Sequence, residues 1–95
     1  MTNRSRTDII AKILELAMEG QAKTRLMYGA ALSYVQLKAF LEILEERGLL
    51  EHSREGNLYL TTEKGVHFLE NVLEMRRLLE PENRQNKSIS VIAPK

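Results

Sequence analysis

The sequence predicts a mainly α fold with one small β-hairpin, in the order helix, helix, helix, hairpin, helix. Three observations lead there. Apolar residues recur at three- and four-residue spacing between Thr7 and Glu19 and again between Leu37 and Leu44, the period of an amphipathic helix. Ser33 and Gln36 stand at the spacing of a capping box, in which each side chain satisfies a free amide of the first helical turn. Two short apolar segments flank Arg54-Glu55-Gly56, where glycine supplies the permissive backbone of a tight turn between antiparallel strands.

Each element can be justified in chain order. Ile9, Ile10, Ile13, Leu14, Leu16 and Ala17 share one face of the first helix, which Ser5 can cap and Gly20 stops. A second, shorter helix covers Ala22 to Tyr28, and Gly29 breaks it before a tight connection. The third helix starts at Ser33 and ends before Gly48, with Leu37, Phe40, Leu41 and Leu44 as its buried face and Leu32 with Leu37 as a flanking hydrophobic staple. Leu49 to Ser53 and Asn57 to Leu60 read as the two strands. Thr61 or Thr62 can cap the last helix, which runs to Glu80 and is stopped by Pro81. Residues 1–6 read as a flexible basic arm, 7–80 as one domain with its last helix over 61–80, and 81–95 as a flexible tail.

Composition narrows the function classes. A chain of 95 residues has room for one modest core. With two Phe, three Tyr and no Trp, that core must be aliphatic. The absence of cysteine excludes disulfides, thiolate metal sites and a cysteine nucleophile. No apolar run approaches the roughly 20 residues of a membrane span, so no membrane partner and a cytoplasmic setting are expected. His52 and His67 are not at a metal-ligand spacing, and the glutamates form no convergent acid–base pair, so neither an enzyme, a metal nor a cofactor is expected.

The net charge of +1 is low for a nucleic-acid binder, but it is segregated. Residues 1–38 carry six basic against three acidic side chains, whereas residues 39–80 carry five against nine. The front of the chain is basic and the back acidic.

A helix, a short turn and a capped helix followed by a hairpin form the winged helix-turn-helix arrangement, which lets one helix enter the DNA major groove while the hairpin touches the flanking backbone. The segment Leu44-Glu45-Glu46-Arg47-Gly48-Leu49-Leu50 with Tyr59-Leu60-Thr61-Thr62-Glu63-Lys64-Gly65 resembles the corresponding part of many prokaryotic winged-helix regulators. Lys23 to Ala30 with Leu32-Ser33-Tyr34 resembles a narrower group of small archaeal winged-helix DNA-binding proteins, some described as chromatin proteins and many as predicted transcriptional regulators. The resemblance covers about Asp8 to Leu79. It implies a homodimer held by the C-terminal helix and nucleoid association, without enzymatic activity. Pro81 cuts the last helix sooner than in relatives with long coiled coils, and the low net charge tilts the reading from a chromatin coat towards a regulator.

The candidate DNA-binding residues fall in three places. Lys23, Thr24 and Arg25 open the second helix, where helix-turn-helix proteins commonly grip phosphates. Ser33, Tyr34, Val35, Gln36, Lys38 and Ala39 form the start of the recognition helix. There Gln36 either pairs with an adenine edge or is committed to its own cap, and Lys38 either meets a phosphate or guanine or stays solvated. Arg54 and Asn57 lie at the hairpin tip. On the last helix, Val66, Leu69 and Leu73 form one stripe, read as core, and Phe68, Val72, Met75 and Leu79 a second, read as the dimer interface. Architectural DNA binding and a protein-interaction module are the competing functions.

Overall fold

A computed structural model describes residues 4–80, which form four helices and one two-stranded hairpin. The expected tail 81–95 and the first residues of the expected arm lie outside the described residues. α1 (Arg6–Leu16) is capped by Ser5, whose hydroxyl accepts from the Asp8 amide. α2 (Lys23–Gly29) starts with no side-chain cap. α3 (Tyr34–Glu46) carries the complete capping box of Ser33 and Gln36. β1 (Leu50–Ser53) pairs antiparallel with β2 (Leu58–Thr61), and α4 (Glu63–Leu79) follows from a Thr62 cap.

The core is aliphatic and continuous. Ile13, Leu14, Leu26, Leu37 and Leu44 are fully buried, each worth about 1.5–3 kcal/mol of burial. They come from α1, α2 and α3, so these helices share one interior. The hairpin is attached by backbone as well as by side chains. Gln21 and Tyr59 exchange paired amide–carbonyl bonds of 2.9 and 2.8 Å, a third-strand bridge that the sequence did not announce. Thr61 donates its hydroxyl to the Leu14 carbonyl at 2.7 Å and its amide to the Ala17 carbonyl. Thr62 caps α4 and donates to the Gly48 carbonyl, while Lys64 donates to the Arg47 carbonyl, so the end of α3 receives the donors it lacks.

Four expectations are corrected. α1 ends at Leu16, because residues 17–19 form a turn closed by Gly20 at a left-handed φ of +93°. The break after α2 falls at Ala31, whose φ is +55°; Gly29 is instead the point of close approach, where a Cβ would lie 2.7 Å from a methyl of Leu16. In the hairpin the left-handed residue is Asn57, with φ +54°, and not Gly56. Asparagine tolerates this region better than other side chains. The basic arm is also shorter than expected. Arg4 donates to the carbonyls of Ala30 and Ala31 at 2.6 and 3.1 Å, and Arg6 lies within α1 with its guanidinium over Phe40.

The stripes of α4 are rotated from their expected positions. The inward line runs through Gly65, Leu69 and Val72 and continues to Arg76, which pairs with Asp8 of α1 at 3.0 Å. Val72, expected at a dimer interface, is only 6% exposed, and Phe68 is half-buried against the same core. Leu73, expected inside, is 42% exposed. The cause is Gly65. Lacking a side chain, it lets the start of α4 press against the Leu49 carbonyl and Thr61, which turns residue 72 inward and residue 73 away.

Candidate nucleic-acid interface

The turn from α2 into α3 brings the first two groups of candidate residues together. Lys23 opens α2 and Tyr34 opens α3, and the Lys23 ammonium stands 5.2 Å from the centre of the Tyr34 ring, a cation–π contact between the two helix starts. Thr24 and Arg25 are exposed beside it. Arg4 ties the turn by donating to the carbonyls of Ala30 and Ala31, just beyond the end of α2.

At the start of α3, Ser33, Tyr34, Val35, Gln36, Lys38 and Ala39 are all exposed, Val35 as much as 76%. The position of Gln36 answers the question the sequence left open. Its Oε1 accepts from the Ser33 amide at 2.9 Å, while the Ser33 hydroxyl accepts from the Gln36 amide at 3.1 Å. Bidentate pairing with adenine needs the amide oxygen and the amide NH2 together. With one lone pair of its oxygen held in the cap, Gln36 is restrained in the pose it can offer a base edge. Glu42, Glu45 and Glu46 border a shallow depression on the second half of α3, and their charge confines any approach by phosphates to the first turn and a half.

The hairpin presents Arg54 and Asn57 at its exposed tip. Behind the tip, His52 lies flat on Tyr59 with ring centroids 4.4 Å apart, and His52 Nε2–H donates to Asn57 Oδ1 at 3.0 Å. Burial pushes the Tyr59 phenol above its ordinary range, so it is neutral throughout physiological pH.

This geometry can be set against known proteins. The profile of the winged helix-turn-helix family matches residues 3–80. The chain belongs to that family. Among solved structures, the winged helix is similar to Sso10a-2, a DNA-binding protein from Sulfolobus solfataricus, at 28% identity and a TM-score of 0.72, over 79% of this chain and 81% of that one. It shares its fold with the transcriptional repressor CouR bound to p-coumaroyl-CoA, at 21% identity and a TM-score of 0.67, over 81% of this chain. The winged helix spans 56% of that repressor. No curated protein sequence matches the chain.

Within the winged-helix frame, β1, β2 and their turn are the wing, and the start of α2 meets the start of α3 through Lys23 and Tyr34. Sequence reasoning missed His52, Arg4 and Lys64. The first could have been found from the strand register, which sets His52 opposite Tyr59; the other two act on backbone carbonyls distant in sequence, which no local pattern reveals. Among the described residues no cluster of side chains suited to a metal ion is present, and no helix is long and apolar enough to cross a membrane.

Proposed function

We propose that this winged helix binds double-stranded DNA as a homodimer and serves as a transcriptional regulator of cytoplasmic, nucleoid-associated DNA. One observation carries the reading. The capped, exposed start of α3 is flanked by Lys23 and Arg25 on α2 and followed by a wing tipped with Arg54, so cationic side chains border a helix start whose first turn carries no acidic residue. The likeness to Sso10a-2, a DNA-binding protein, supports it. The homodimer rests on the end of α4, where Met75, Leu78 and Leu79 are 55%, 72% and 80% exposed with no covering residue from the described part of the chain. Leu78 joins the interface expected from sequence and Val72 leaves it.

The engagement of Gln36 favours a second reading, architectural binding, because it restrains the strongest base-reading group of α3 in its own cap. Selection from random duplexes separates the two. An enriched two-part site is expected for a regulator, a flat profile for an architectural protein, and no duplex binding would refute both. Arg25→Ala and Arg54→Ala should each weaken binding to every duplex and lower the salt dependence by about one phosphate contact; unchanged binding would remove these residues from the interface.

A further inference from the structure

His52 has no place in the DNA-facing set above, yet it connects the exposed wing tip to the fixed base. Its ring is stacked on Tyr59, its cross-strand partner, with the planes 10° from parallel. Tyr59 is buried, and its backbone is tied to Gln21 through both its amide and its carbonyl. From this platform His52 Nε2–H reaches Asn57 Oδ1 at 3.0 Å, and Asn57 occupies the left-handed region at φ +54°. Asparagine enters this region more readily than other side chains, and the bond from His52 adds local support for it there.

We propose that His52 is the positioning residue of the wing, selecting both the backbone conformation of Asn57 and the orientation of its amide for contact with a DNA phosphate. The chemistry is one of donor selection. An asparagine amide can present either its oxygen or its NH2 group, and a phosphate accepts but never donates. By taking the oxygen, His52 leaves the NH2 as the group Asn57 can offer. The same bond holds the turn that carries Arg54, so the guanidinium and the amide approach the backbone as a preformed pair of donors. The inference rests on the duplex-binding reading, and it names the residue that makes the wing a phosphate clamp.

Two measurements on the full chain test it. In the absence of DNA, three-bond amide–Hα couplings and amide exchange over Arg54–Asn57 report the turn. His52→Ala should abolish the left-handed signature of residue 57 and speed exchange at the tip, and Asn57→Ala should speed that exchange in the same way while keeping the His52–Tyr59 stack. In salt-titrated binding to a random duplex, His52→Ala should weaken affinity roughly three- to tenfold, and Arg54→Ala should cost less in the His52→Ala chain than in the wild type. Retention of the Asn57 conformation in His52→Ala, or losses from His52 and Arg54 that simply add, would overturn the proposal. If the wild type binds no duplex, the DNA reading fails by itself, and the couplings still decide whether His52 sets the turn.

Discussion

At Gly65 any side chain would collide with backbone: a Cβ there would overlap the Leu49 carbonyl and lie 2.7 Å from Thr61 Cγ2. Neither neighbour can swing aside, since Leu49 accepts from the Thr62 amide and Thr61 is anchored to Leu14. Gly65→Ala is therefore expected to destabilise the fold by about 1–3 kcal/mol or more in urea unfolding, even though alanine is the better helix former. A neutral or stabilising result would show that α4 does not approach Leu49 this closely. Ser33 makes a complementary case. Ser33→Ala should cost about 1 kcal/mol by loss of the cap. Gln36→Ala should lower stability by less while leaving the selected DNA sequence unchanged, because its amide is held in the cap; a changed site would show that Gln36 leaves the cap to read a base. Both residues of this cap were legible in the sequence, since capping depends on four consecutive positions. The role of Gly65 was not, because a glycine in an apolar-period count registers only as a gap.

Between elements, α1 and α4 are joined by the Asp8–Arg76 pair, which lies at the end of the inward stripe of α4. The Arg76 guanidinium, with the Ser5 cap, holds the Asp8 carboxyl below its ordinary value of 3.8. A carboxylate whose pKa is depressed by folding stabilises the fold at pH values above its unfolded pKa, and that contribution is lost as pH falls through the folded value. Asp8→Asn should accordingly be less stable than the wild type at neutral pH, with the gap closing below about pH 3.8 and narrowing in high salt. Thermal melts over a pH series check this; a gap independent of pH would assign the effect to packing. The same pair links the later turns of α4 to the start of α1, and Arg4 likewise links the N-terminal segment to the end of α2. Helix period predicted that α1 and α4 exist, but a pair separated by 68 residues has no signature in either helix.

For the whole molecule, the exposed end of α4 is the surface on which the proposed dimer rests. Leu78→Glu with Leu79→Glu should convert a dimer into a single chain of 10.9 kDa in sedimentation equilibrium, leave the thermal melt of the domain nearly unchanged and weaken binding to a two-part DNA site. A wild-type mass of one chain at micromolar concentration would instead exclude the dimer.

Local sequence was enough for the four helices, the hairpin, the start of α3 at Ser33 and its stop before Gly48, because caps, turns and amphipathic period involve residues only a few positions apart. The folded chain alone settled which side of α4 faces inward, the fixing of Arg4 and Arg6 and the third-strand bridge of Gln21. Each of these depends on groups far apart in sequence meeting in one geometry. There, a missing Cβ at Gly65 or a carbonyl met by Arg4 just beyond the end of α2 outweighs what local hydrophobicity can record.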